Sequence, residues 1–169
     1  MTKSIKIIAV IVLFATTCLY AQNPKFGHVN STQLLSSMPE TKVADSALQK
    51  FGSSLEGQLK TMNAEYDNKV TEYKEKQSSM AEPIQQAKAK EISDLGDRIQ
   101  DFQQSAQQSI QKKKEELYQP IIKKAEDAIH AVGKDKGYTY IFDSGVGVLL
   151  YFQDSDDIMS LVKAKLGLK

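Results

Sequence analysis

The chain has 169 residues, with 22 basic against 21 acidic side chains, no tryptophan and a single cysteine. Charge this balanced offers no electrostatic basis for nucleic-acid binding, and one thiol offers no disulfide framework. The length fits one domain, or one domain with an extension.

Residues 1–21 read as a sorting signal and are set aside before the fold is considered. Lys3 and Lys6 form a short basic region, Ile7 to Phe14 is an uninterrupted apolar run, and Ala15 to Leu19 continues it weakly. That run falls short of the about 20 residues a membrane crossing takes. Leu19-Tyr20-Ala21 places a small residue at a cleavage site, giving a mature start at Gln22. A lipid anchor at Cys18 is the rival reading. It fits poorly, because Ala15-Thr16-Thr17 lacks a large aliphatic residue three places upstream and bulky Leu19 follows the cysteine. Cleavage removes two lysines and no acid, leaving 20 basic against 21 acidic residues, a net charge of −1. It also removes the only cysteine, so the mature chain has no thiol chemistry in an oxidising compartment.

Residues 22–39 read as the first part of a small body, with a strand at Phe26 to Val29 and then a short helix. Ser37-Met38-Pro39-Glu40 marks the start of a long helix: Ser37 caps, Glu40 reaches back, and proline is tolerated in a first turn. An apolar stripe follows through Ala44, Leu48, Phe51, Leu55, Leu59, Met62, Tyr66, Val70, Tyr73, Gln77, Met80 and Ile84, with a mean step of about 3.6 residues. Ser78 to Pro83 breaks it. Pro83 lacks a backbone donor and pushes Glu82 out of the helical region, which predicts a tip near 78–88. A second stripe runs through Ile92, Leu95, Ile99, Phe102, Ala106, Ile110, Lys113, Leu117 and Ile121 with the same period.

A helix with one narrow apolar face buries it against one partner. Two in succession with a breaker between predict an antiparallel hairpin over residues 40–120. Its first helix would span roughly 60 Å at 1.5 Å per residue, so the arm projects from the body. Counting from residue 82, Phe102 is expected opposite Met62, with Ile99 and Ala106 near Leu59 to Tyr66. Pro120 predicts a kink rather than a break, because Ile121, Ala125, Ile129 and Val132 continue the stripe. The helix is expected to end at Gly133 or Gly137.

Residues 121–169 complete the body. Tyr138 to Phe142 alternates aromatics as a strand does. Ser144 to Gly147 reads as a turn and Val148 to Phe152 as the returning strand of a hairpin. Asp154 or Ser155 caps a last helix with Ile158, Leu161, Val162 and Leu166 on its apolar side. These pieces are too small to bury a good core alone, and oligomerisation is the economical remedy. The fold class is α+β: a long helical-hairpin arm on a small β-rich body.

The sequence gives no support for an enzyme, a cofactor or a metal site. His28 and His130 lie about a hundred residues apart and read as structural or surface histidines. Asp143 reads as a strand-end aspartate, and Gly145-Val146-Gly147 precedes a strand, not the helix a phosphate loop needs. Lys112-Lys113-Lys114 is followed at once by Glu115 and Glu116, as on a solvated helix face. Off the stripe, the arms carry few apolar side chains: Val43, Tyr118, Ile122 and scattered alanines. Such a surface suits weak, multiple contacts to an extended partner within an enclosure.

In order, Phe26-Gly27-His28-Val29-Asn30-Ser31, Leu34-Leu35 and Met38-Pro39-Glu40 lead into the paired arm. Its glutamine-rich Phe102 to Gln108 and its Leu117 and Pro120-Ile121 come next. Lys136 to Asp143 and Asp157-Ile158 complete a pattern that resembles the Skp/OmpH family of periplasmic chaperones. The resemblance implies a homotrimer whose body is a small barrel of strands from three chains, with Phe26, Val29, Tyr138, Tyr140, Phe142, Val148 and Leu150 as candidate contacts. It implies an ATP-independent holdase that keeps unfolded outer-membrane proteins from aggregating in the periplasm. The best-known members are strongly basic; the near neutrality of this chain weakens the case for attraction to anionic lipid. The alternative is a scaffolding coiled-coil protein of the envelope, with the same arm but one folded partner.

Overall fold

The computed structural model describes residues 24–168; the expected signal and the Cys18 alternative lie outside them. The chain order is strand β1 (Phe26–Val29), helix α1 (Ser31–Ser37), helix α2 (Pro39–Lys76), a 3-10 turn (Gln77–Ser79), helix α3 (Glu82–Lys136), strand β2 (Tyr140–Asp143), a second 3-10 turn (Asp154–Asp156) and helix α4 (Met159–Lys165). The molecule is mostly helical, with α2 and α3 forming the hairpin and a two-stranded sheet at its root. Among the described residues, no helix is long and apolar enough to cross a membrane.

β1 and β2 pair in parallel, with Phe26 opposite Tyr140 and Val29 opposite Asp143. Parallel neighbours need a crossover, and here the crossover is the entire arm. One face of this sheet meets the helices: Val29 is buried, and Ile141 approaches Gly133 so closely that a Cβ there would lie 3.1 Å from its Cδ1. The core gathers Leu34 and Met38 from the α1 region, Ala44 at the start of α2, Ile121, Ala125, Ala128 and Val132 from the end of α3, and Ile158 and Val162 from the last helix. Above Ile121 the arm seam is mostly half-buried; Leu95 is the one seam residue there that is fully covered.

Pro83 occupies the first turn of α3, where its missing N–H costs nothing, and the chain breaks upstream at extended Met80 and Ala81. Glu82 is therefore helical, contrary to expectation. The break between the helices sits earlier than residue 82, and Phe102 shares a groove with Leu55 and Leu59, the latter at the near end of the stretch of α2 expected to face it. Further along, the Tyr66 ring lies 3.5 Å from where a Cβ on Gly96 would be. Pro120 lies within a single continuous helix, which ends at Gly137 with φ +69°.

Three local expectations are corrected. Ser37 does not cap α2: it is the last residue of α1, its hydroxyl donates to the Leu34 carbonyl at 2.6 Å, and Met38 takes the cap position without a side-chain bond. Glu40, freed from a capping box, pairs with Lys124 at 2.5 Å. The last helix begins at Met159, later than expected, because Asp154 to Asp156 form a 3-10 turn and the Asp157 carboxylate accepts from the Met159 N–H at 2.7 Å. Most consequentially, Val148 to Phe152 is no strand and the hairpin is absent. Asp143 Oδ1 accepts from the Gly145 N–H at 2.8 Å, and Gly145 lies so close to Asn30 that a Cβ would sit 2.6 Å from its Oδ1. This contact carries the chain away from β2. It returns on the far side of β1, where His28 bridges to Asp157.

Candidate functional site: the open sheet face and the arm seam

Alternation along β1 and β2 puts Phe26, Tyr140 and Phe142 together on the sheet face that no helix covers. Phe26 stacks on Tyr140 at 5.9 Å between ring centroids and tilts against Phe142 at 6.2 Å. All three remain exposed, and so do Val146, Val148, Tyr151 and above all Leu150, at 97%. Among the described residues, no backbone hydrogen bond of a turn, cap or bridge involves residues 146–152. An apolar surface of this extent around an unpaired segment marks an interaction site on a protein of this size.

Two sequence-nominated body residues are placed otherwise. Val29 turns inward, at 2% exposure, into the core of its own chain. Tyr138 is half-buried beneath Gly27, with the Lys25 ammonium 4.1 Å from its ring centroid. Val146, Tyr151 and Phe152 also belong to the exposed segment; alternation of apolar residues through Val146, Val148 and Leu150 is a signal for the first of them and not for the two aromatics.

The polar groups here serve geometry. Asp143 accepts from the Ser31 N–H at 3.1 Å and the Ser31 hydroxyl at 2.5 Å besides Gly145, tying the end of β2 to the start of α1. Burial pushes its carboxyl up, but the bonds from Ser31 and Gly145 outweigh that and hold it below the ordinary carboxylate value. His28 is buried; its Nε2 lies 3.0 Å from the Gln153 carbonyl, its ring packs 4.2 Å from Phe152, and its Nδ1 has no partner among the described residues. His130 is exposed at the far end of α3. Among the described residues, no three His, Cys, Asp or Glu side chains converge as metal ligands would.

On the arm, Leu48, Phe51, Leu55, Leu59, Met62, Tyr66 and Tyr73 of α2 are half-buried, as are Ile99, Phe102 and Leu117 of α3. Ile110 is 36% exposed at the rim, and Ile84 is exposed beside the tip. Polar links cross the seam. Lys124 pairs with Glu40 near the body, Tyr118 Oη donates to Asp45, and Lys69 meets Glu91 at 2.6 Å toward the tip. The Glu91 contact holds the Lys69 ammonium above its ordinary value and the Glu91 carboxyl below. These pairings follow from the register between the two arm helices. Along the seam lie shallow grooves. One of about 390 Å³ is lined by Val43, Ala44, Leu117, Pro120 and Ile121. Another, of about 400 Å³, opens at mid-arm between Leu55 and Leu59 of α2 and Phe102 and Ala106 of α3.

A family model described as outer membrane protein (OmpH-like) matches residues 25–166. Among solved structures, a candidate outer membrane chaperone (OmpH-like) from Caulobacter crescentus superposes with a TM-score of 0.74. It is 17% identical, over 88% of this chain and 90% of that one. No curated protein matches the sequence.

Proposed function

Since the chain belongs to the OmpH-like outer membrane protein family, matched from residue 25 to residue 166, we propose that it is a holdase chaperone of the periplasm. It binds unfolded outer-membrane proteins without ATP and keeps them from aggregating in transit. The observation that carries this reading is the division of surfaces. Apolar exposure concentrates at the root, on Phe26, Tyr140, Phe142 and residues 146–152, while the projecting arm shows mostly Gln, Ser, Lys and Glu. The root is then the assembly surface, closing three chains into one body, and the arms surround the client. Many weak contacts within that enclosure hold the client through effective concentration and leave it mobile.

The test uses the chain from Gln22, in the absence of ATP. A urea-denatured outer-membrane barrel is diluted into buffer with and without the protein, and light scattering is followed. Suppression near one trimer per client is the expected result. Scattering unchanged at a several-fold excess of trimer refutes the holdase, and a protein that sediments as a monomer refutes the assembly. Export is read from the mass of the protein recovered from a periplasmic extract, which places the first residue at Gln22 if cleavage follows Ala21.

A further inference from the structure

Two glycines, Gly52 and Gly57, sit in the interior of α2, and an added Cβ on either would meet nothing within 4 Å. Glycine is the costliest helix-interior residue after proline, and no close approach at either position explains it. Gly57 faces solvent. Gly52 opens onto the mid-arm groove, whose floor is Leu55, Leu59, Phe102 and Ala106, with Ile110 at its edge. A larger side chain at Gly52 would fill this groove, so glycine keeps it open.

The rim is as specific as the floor. Gln103 and Gln107 flank the groove, and Glu56 is its one charged lining residue. The two glutamines stand one helical turn apart on α3, a rise of about 6 Å. Alternate residues of an extended chain repeat at about 6.6–6.8 Å. A strand lying along α3 therefore presents successive backbone amides, two residues apart, to the two glutamine side chains. Each carboxamide both donates and accepts, so it satisfies an unpaired strand backbone in either direction. Between those anchors one side chain points into the groove, and the neighbours on either side point to water. With a single carboxylate at the rim, the groove has nothing to recruit an acidic or phosphorylated segment.

The geometry points to a discrete docking site at mid-arm for an extended segment of alternating apolar and polar residues. One apolar side chain is seated over Gly52, and the backbone is read by Gln103 and Gln107. Such alternation is the signature of an outer-membrane β-strand before it pairs. The inference rests on the chaperone reading and adds to it where on the arm a client strand sits and which sequence pattern it must have. Each such site is shallow, so the enclosure still supplies most of the holding.

The experiment pairs Gly52→Leu with Gly57→Leu. Both replace a helix-interior glycine with a strong helix former in open space, so both keep or strengthen the arm, and circular dichroism verifies this. The probe is a fluorescent ten-residue peptide of alternating apolar and polar residues, with a second peptide of the same composition whose apolar residues are contiguous, each titrated by anisotropy. Gly52→Leu is expected to weaken the alternating peptide roughly five- to tenfold, for loss of one partly buried apolar side chain, and Gly57→Leu less than about twofold. Equal binding by wild type and Gly52→Leu overturns the site, as does equal weakening by both variants. Equal affinity of wild type for the two peptides overturns the strand preference. A changed sedimentation coefficient in Gly52→Leu alone shows that the occupant is a second copy, which also overturns it. Failure of wild type to suppress aggregation of a denatured barrel instead removes the chaperone reading, whatever the peptides do.

Discussion

Replacing Asp143 separates the geometry of the body from its charge. Its carboxylate accepts three hydrogen bonds, from the Ser31 N–H, the Ser31 hydroxyl and the Gly145 N–H, at 2.5–3.1 Å. Bonds to a charged acceptor contribute about 1.5–3 kcal/mol each, but they are not additive, and water reaches Gly145 and part of Ser31, so Asp143→Ala is expected to cost about 3 kcal/mol. Asp143→Asn keeps an acceptor oxygen for the two N–H groups and loses the charge, at about 1 kcal/mol. The folded-state value of this carboxyl is lowered, so its contribution is present above the unfolded value of about 3.9 and fades as pH falls through the folded value. Urea midpoints of wild type and Asp143→Asn, measured from pH 7 to pH 3, should therefore converge at the acid end. Glu40, Glu72, Glu91 and Asp135, also lowered, titrate in both proteins and drop out of the difference. A gap that stays constant across that range shows that the charge of Asp143 carries no stability and refutes the argument.

Leu95→Ala removes the one fully covered seam residue above the arm root and should cost about 2 kcal/mol, the low end for this change because the gap opens to water. Hydrogen exchange should quicken around residues 60–75 and 88–100 while the body amides stay protected; uniform quickening contradicts a separate arm. Gly137→Ala, at φ +69°, should lower stability by about 1 kcal/mol in urea melts. Deleting residues 45–115 should leave the proposed oligomer intact and abolish aggregation suppression, since the proposed enclosure is lost. Affinity for the proposed client should vary only modestly between low and physiological salt, given the near-neutral chain; a steep dependence would point to charge-driven capture.

The helices were legible because their signal is local and repeated. Two stripes of period 3.6 need no knowledge of anything distant, and the break between them announces a hairpin. The register was legible only to within a turn. Pro83 can end one helix or begin the next, and the break itself lies upstream, at Met80 and Ala81. Counting about residue 82 sets Glu40 opposite position 124 and Asp45 opposite position 119, so the Glu40–Lys124 and Asp45–Tyr118 pairs lie within reach of spacing, whereas Lys69–Glu91 falls four residues off that count. The caps failed for a related reason: Ser37 has the right side chain for a cap, but it already belongs to α1, and capping depends on backbone conformation as much as on residue type.

The missing hairpin is the instructive failure, because every local rule favoured it. Val148 to Phe152 is apolar and β-prone, and Ser144-Gly145-Val146-Gly147 is composed like a turn. What decides against it is non-local: Asn30 and Ser31, more than a hundred residues earlier, occupy the space beside Asp143 and Gly145 and fix the exit direction of β2. Once the chain leaves that way, the same residues that would have paired with β2 are left exposed, Leu150 almost wholly in solvent. Apolar, strand-forming residues without a partner in their own chain are a liability in a monomer. In the proposed assembly they become the means by which the small body completes its core. The local signal for a strand there is overruled within this chain by the contacts that Asn30 and Ser31 make with the end of β2.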